Sequence, residues 1–369
     1  MIRVAIIAGV LHTGGKRNLI MEYYRHIDRE KIQFDFFCLN HSNGIPDDEI
    51  RSFGGRVYRL PSYKRLFVNL WQTYRILKRN NYQVMHAFDN TLNVFPLFVG
   101  KLVGVPLRIS ESVSKGNKKE GKTIVKYVLR LFSHCFATHY FANSTESAVW
   151  QFGKRAFDDG KVTIFKSVIN TGNHYFSSEL RDEARNRFGW SGRVAYGFIG
   201  RFVPQKNPLF LLEVFREIRR FQENAVFGLV GYGPQEEKLR QKVKVYGLED
   251  CATFFGRRDD VRMFYNAYDA LLLPSLYEGM PIVGLEAQCC GLPVFFSENV
   301  TMETTATELT HFLSLKDSPV EWAKTIIDVV SSNKGNRCSY VDEMKKAGFD
   351  SYEEAKRLQR FYQEHVTLL

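Results

Sequence analysis

Asp269-Ala-Leu-Leu-Leu-Pro-Ser-Leu-Tyr-Glu-Gly-Met-Pro-Ile-Val-Gly-Leu-Glu-Ala-Gln-Cys-Cys-Gly-Leu-Pro-Val-Phe-Phe-Ser297 packs a strand, a polar loop, a helix and a second strand into one run. The apolar stretch 270–273 has strand length and stops at Pro274, so 275–279 falls at the strand's carboxyl end, where open α/β sheets bind their ligands. Pro281 suits the first turn of a helix, where its missing N–H costs nothing. That helix is expected to reach about residue 290, to be ended by Gly291 and Pro293, and to lead into a strand over 294–296.

Glu278 then sits on the loop and Glu286 on the second turn of the helix, so both can face one crevice, while Gly279 lets backbone approach a ligand closely. Carboxylates accept hydrogen bonds from sugar and ribose hydroxyls, and a helix N-terminus favours negative charge; a nucleotide sugar needs both. The phrase Ser-Leu-Tyr-Glu-Gly-Met-Pro with Leu-Glu-Ala and Cys-Gly-Leu-Pro-Val closely resembles the signature of retaining, family-4-type glycosyltransferases (glycosyl transferases group 1) of GT-B fold, including two Glu with seven residues between them. The resemblance implies that Glu278 looks toward the donor sugar and that Glu286 holds the ribose. It also implies that Gly279, Met280 and Pro281 belong to the donor site.

Outward from this stretch, strand and helix signals alternate along the chain, as in doubly wound α/β domains. At 369 residues the chain exceeds what one core usually holds. The expectation is an α/β, GT-B architecture: an N-terminal acceptor-binding Rossmann-like domain over 1–170, a C-terminal nucleotide-sugar-binding one over 171–350 facing it across a cleft, and a helix over 351–369 returning to the first. Strands are read at 4–8, 34–39, 57–60, 84–87, 107–110 and 140–142, then at 195–199, 226–231, 253–256, 270–273 and 294–296. Ser144 is a candidate helix N-cap. Residues 162–169 read as the start of a link, with Asn170 where relatives usually carry Asp.

The second strong phrase is Gly200-Arg-Phe-Val-Pro-Gln-Lys-Asn-Pro208. Gly200 permits a sharp exit from the strand, Arg201 and Lys206 share the loop, and Asn207-Pro208 opens a helix. Two cations beside a helix N-terminus suit a leaving diphosphate, whose terminal oxygen gains charge as the glycosidic bond breaks. By resemblance these two bind the nucleotide diphosphate. Gly231 and Gly233 match a Val-Gly-x-Gly-Pro turn of the same family, and Arg257 follows the next strand, where relatives hold the nucleotide base.

The first half matches the family only in scattered phrases. Gly14 and Gly15 follow the first strand and lead into a helix, so their N–H groups are candidates for an anion or the donor, although Lys16 and Arg17 stand where relatives often have an acid or Ala. His86 ends a strand and matches the first His of a Val-His-x-His phrase whose second is Phe88 here. Glu111 aligns where many relatives carry a His near the reacting centre. Either it replaces that His in acceptor binding or as a base, or it pairs with Arg108 or a Lys and does no chemistry.

No Asp-x-Asp phrase ends a strand and no His/Cys/carboxylate set has metal-ligand spacing, so the expected reaction uses neither metal nor cofactor, with Arg201 and Lys206 in a cation's place. Family membership implies retention at the anomeric carbon and a UDP sugar as donor. Hydrophobic residues make up 44% and charged residues 25% of a chain with net charge +11, which excludes a largely disordered protein. Residues 1–170 carry 26 Lys and Arg against 13 Asp and Glu, so the excess sits in the first half.

Two stretches concentrate it, 51–79 and 115–132; the second mixes cations with apolar residues at helical spacing, as an anionic membrane surface favours. The expected acceptor is a sugar or a lipid-linked oligosaccharide of exopolysaccharide or capsule assembly, at the inner membrane face. No nucleic-acid-binding motif accompanies the basic half. Six Cys, none in Cys-x-x-Cys spacing, read as packed thiols of a cytosolic protein. Residues 1–10 read as a first strand entering a Gly loop rather than as a signal peptide. Two rival readings remain: a sugar-nucleotide epimerase or hydrolase using Glu111 with His86, and an inactive nucleotide-binding subunit.

Overall fold

A computed structural model describes residues 1–12, 14–113, 123–333, 335 and 337–367. The chain divides into two compact units, Met1–Val168 together with Ser351–Leu369, and Ile169–Asp350.

In the first unit, seven parallel strands are β1 (Ile2–Gly9), β2 (Ile32–Leu39), β3 (Arg56–Leu60), β4 (Val84–Ala87), β5 (Leu107–Ser112), β6 (His139–Ala142) and β7 (Val162–Ile164), in the order β3-β2-β1-β4-β5-β6-β7. Central strands read as near-continuous apolar runs because helices cover both faces of a parallel sheet. One face packs Val4, Ile6, Val84, Leu107 and Ile109 against the helix Gly15–His26 and the final helix Ser351–Thr367, which contributes Ala355, Leu358 and Tyr362. The other face packs Ala5, Ile7, Met85 and Ala87 against the helices Leu66–Asn80 and Val94–Val103, through Leu77, Leu97 and Val99. Ser144 caps the helix Thr145–Phe152 in a reciprocal capping box with Ser147.

The second unit carries six parallel strands, β8 (Val194–Ile199), β9 (Ala225–Val230), β10 (Ala252–Gly256), β11 (Ala270–Leu273), β12 (Val294–Ser297) and β13 (Thr310–Leu313), in the order β10-β9-β8-β11-β12-β13. Both sheets therefore reverse their strand order beside the first strand, between β1 and β4 and between β8 and β11. Open α/β sheets bind their ligands at such switch points. Strands β7 and β13 were not expected; both are edge strands of three and four residues.

Of the two basic stretches, 51–79 is wholly described. The cationic start of the other, 115–122, lies outside the described residues. The helix Thr123–Leu131 that follows exposes Val128 and Leu131. Among the described residues no helix is long and apolar enough to cross a membrane.

Candidate functional site

In the second unit, the loops that leave β8 and β11 at the switch point are tied together. Leu276 N–H donates to the Gln205 carbonyl at 2.8 Å, and Gln205 Nε2 donates to the Tyr277 carbonyl at 3.1 Å. The tie brings Lys206 Nζ into an ion pair with Glu278 Oε1, two residues 72 positions apart in sequence. Their side chains are 15% and 12% exposed, enough to meet a solute and too little for water to screen the pair fully. Arg201 lies on the same loop as Lys206 and is exposed, and its guanidinium has no hydrogen-bond or ion-pair partner among the described residues.

The two glycines after β9 have a packing reason to be glycine. A Cβ at Gly231, where φ is +146°, would fall 1.8 Å from the Gly200 carbonyl oxygen, and one at Gly233 would fall 2.5 Å from the Phe202 carbonyl oxygen. Backbone hydrogen bonds Gly200 N–H to Val230 O and Phe202 N–H to Tyr232 O hold the Arg201 loop on this turn. The helix Pro208–Phe221 starts beyond the loop, with Asn207 in the left-handed conformation at its N-cap.

Pro281 is the N-cap residue of the helix Ile282–Cys289 rather than a residue of its first turn. A Cβ at Gly279 would meet nothing within 4 Å, so this backbone borders open space. Met280 instead packs beside Ile169, Leu285, Cys289, Met344 and Phe349. Glu286, on the second turn, is held from two sides: the Tyr265 hydroxyl donates to Oε2, and His174 Nε2 lies 3.5 Å from Oε1. Burial, with the Glu286 charge adding to it, holds the Tyr265 pKa well above the ordinary phenol value, so this hydroxyl remains a donor. Arg257 is half exposed, pairs with Asp259 at 3.2 Å and lies 6.0 Å from the Tyr232 ring centroid.

In the first unit Gly14 and Gly15 sit at the start of the helix Gly15–His26, and a Cβ on either would meet nothing within 4 Å. The unexpected feature is Lys16. Its Nζ donates to the Ala8 carbonyl and pairs with Asp89, both at 2.7 Å, bridging the ends of β1 and β4 at the switch point. Gly9 is required beneath this bridge, since a Cβ there would fall 1.5 Å from Asp89 Oδ2.

His86 and Glu111 depart from expectation. Both side chains have no exposed surface; His86 Nε2 lies 2.8 Å from Glu111 Oε2, and His86 Nδ1 lies 2.6 Å from the Tyr362 hydroxyl. Phe88 stacks on the imidazole at 4.2 Å. The Glu111 carboxylate meets His86 within the contact distance of an ion pair, but its angles fall short of a formed hydrogen bond. Burial raises the Glu111 pKa, against the opposing pull of His86. Enclosed this way, neither group reaches a solute, and acceptor contact through them is corrected to a role inside the first unit's core. The alternative pairing with Arg108 is also absent: Arg108 spends its guanidinium on the carbonyls of Val105, Pro106 and Phe136.

His174, Tyr265 and Asp89 were missed by sequence reading. Tyr265 lies in an unremarkable helix, and His174 follows turn residues, where a lone His carries little information. A cavity of about 520 Å³ in the second unit lies at the other, amino ends of β8 and β12, beside Arg181, Arg185, Asp269 and Arg337. These guanidiniums donate to carbonyls of residues 265–268, so they brace the backbone there.

Residues 193–332 match the family model described as Glycosyl transferases group 1. The chain is 26% identical over 374 residues to the "Putative glycosyltransferase EpsF" of Bacillus subtilis (strain 168), covering 98% of this chain and 96% of that protein. It is 24% identical to the "UDP-Gal:alpha-D-GlcNAc-diphosphoundecaprenol alpha-1,3-galactosyltransferase" of Escherichia coli, over 77% of this chain and 76% of that one. The crystal structure of Anabaena Alr3699/HepE in complex with UDP superposes with a TM-score of 0.79 at 16% identity, covering 99% of this chain and 100% of that one. The two Rossmann-like units define the GT-B architecture. The protein is a glycosyltransferase, and its segment 193–332 is of the group 1 type.

Proposed function

We propose that the enzyme moves a sugar from a UDP sugar to a hydroxyl of a sugar acceptor carried on a lipid diphosphate, in polysaccharide assembly, with retention at the anomeric carbon and without a metal. The observation that carries this reading is the Lys206–Glu278 pair at the β8/β11 switch point, with the exposed Arg201 on the same loop. A diphosphate arriving here competes with Glu278 for Lys206. Arg201 offers it a planar fork and Lys206 a mobile point charge. Charge that builds on the departing phosphate oxygen meets fixed positive groups and the N-terminus of the helix Pro208–Phe221.

Glu286, fixed by Tyr265 and His174, accepts hydrogen bonds from the ribose hydroxyls, and Glu278, once released, faces the sugar. The open space at Gly279 leaves room for donor atoms. Gly231 and Gly233 act by letting the Arg201 loop stack on their turn, and Arg257 borders the base. In the transfer step the bond from the anomeric carbon to the phosphate oxygen breaks, the acceptor oxygen bonds to that carbon on the same face, and the acceptor proton passes to the departing phosphate. This route needs no protein nucleophile. The similarity to a transferase named for a diphosphoundecaprenol acceptor supports the lipid-linked acceptor and a peripheral position at the inner membrane face.

The epimerase or hydrolase alternative leaned on Glu111 with His86, which are enclosed. A panel of UDP sugars tests the proposal: UDP release that requires an added acceptor supports it, and turnover without acceptor contradicts it. Arg201→Ala and Glu286→Ala should each lower kcat/KM for the donor more than tenfold. Activity should survive EDTA, and unchanged turnover in both variants would remove the site.

A further inference from the structure

The helix Leu66–Asn80 buries two polar side chains beside Leu77 and exposes aromatic ones. Asn69 and Thr73 point inward and are buried, satisfied by the Pro61 carbonyl and the Asn69 carbonyl. Phe67 and Trp71 point outward, 87% and 56% exposed, with Val68 beside them. Side chains three and four apart share a helix face, so Lys64, Phe67, Trp71, Arg75 and Lys78 form one outward stripe.

The charge on this stripe is one-sided. No Asp or Glu occurs between Arg51 and Phe88. None of Lys64, Arg65, Arg75, Lys78 or Arg79 forms an ion pair with a described residue, whereas the neighbouring Arg51 and Arg59 share Asp47. Arg75 lies over the Trp71 ring at 4.6 Å and Lys78 over Tyr74 at 5.5 Å, so the cations flank the aromatic surface. The adjoining helix Val94–Val103 packs against it in the same layer and exposes Leu102 and Phe98 beside Lys101. Phe67 and Trp71, with Val68, Phe98 and Leu102 nearby, put large apolar surface in water and mark a contact site.

We infer that the Leu66–Asn80 helix is the element that docks the enzyme on an anionic lipid bilayer, with Phe67 and Trp71 inserted at the headgroup level and the five unpaired cations on lipid phosphates. Trp is favoured at the membrane interface, where its ring meets an apolar body on one side and water on the other. Each nearby Lys or Arg adds attraction to an anionic leaflet. A second copy of the chain is a poor occupant, because it would set five cations against five. The inference deepens the acceptor part of the proposed function and rests on it only for the biological need to reach a lipid. It adds a second helix to the membrane contact expected of residues 115–132.

Flotation of the full-length protein with liposomes tests it. Binding to mixed phosphatidylglycerol–phosphatidylcholine vesicles should be at least tenfold tighter than to phosphatidylcholine alone. Phe67→Ser/Trp71→Ser should lose at least tenfold of that binding with unchanged Tm. Arg75→Glu/Lys78→Glu, at two exposed positions, should lose it too, and decides the matter if the first variant unfolds. Wild type without anionic preference, or variants that float like wild type, overturn the inference, as does self-association or RNA binding through this face in place of vesicle binding. UDP binding by calorimetry separates the two claims: UDP binding without flotation sinks the docking helix alone, and flotation without UDP binding sinks the donor site alone.

Discussion

Glu286 shows how a residue legible in the sequence depends on residues that are not. Its position was set by the Glu-x7-Glu spacing, but its direction is set by Tyr265 and His174, which come from other elements. Tyr265→Phe removes the hydroxyl that donates to Oε2 and leaves the ring in place. The expected outcome is a KM for the donor raised about three- to tenfold with kcat little changed, since one hydrogen bond to a charged group contributes about 1.5–3 kcal/mol at most. Steady-state kinetics with varied donor checks it; a fall in kcat alone would place Tyr265 in the chemistry instead. His86 and Glu111 teach the opposite lesson. Each was read as a strand-end residue facing a ligand, yet His86 shares its side of β4 with Val84 and Phe88, and Glu111 shares its side of β5 with Leu107 and Ile109. That alternation of two was present in the sequence and pointed both groups into the helix layer.

Elements were readable in proportion to how much apolar surface each had to bury. The strands 84–87 and 270–273 were placed at their observed limits. Strands β7 and β13 were invisible because each lies at a sheet edge, is short, and is only partly buried, so neither needed a continuous apolar run. The loop between β8 and the next helix was legible as chemistry, through Arg201 and Lys206, but its tie to the Glu278 loop was not, because sheet order alone makes β8 and β11 neighbours. Capping is the local signal that did transfer, through Ser144; a second reciprocal box, at Ser318, was not read from the sequence. Ser318 accepts from Glu321 N–H while the Glu321 carboxylate accepts from Ser318 N–H, closing the start of the helix Pro319–Ser332. Ser318→Ala should cost the second unit about 1 kcal/mol, measured as a lower midpoint in urea with an unchanged slope.

At the scale of the molecule, the enclosed Glu111 makes stability depend on pH in a defined direction. Its pKa in the folded protein is raised above 4.5 by burial, so the folded chain keeps a proton that the unfolded chain has already released. As pH rises from about 4.5 toward the raised value, this group therefore subtracts stability, and below that window it subtracts none. Wild type compared with Glu111→Gln by urea unfolding should lose ground steadily across that range; a difference that stays flat, or that grows in favour of wild type, contradicts the assignment.

The first unit is also built from two separated lengths of chain, and its core closes only when Ala355, Leu358 and Tyr362 arrive. Because a ribosome delivers residues in order, the leading sheet must wait with one apolar side uncovered while the whole of the following unit is made. The nascent enzyme thus spends about half of its synthesis with its first sheet unfinished, and a chain cut short before residue 351 would carry its damage at the opposite end of its sequence.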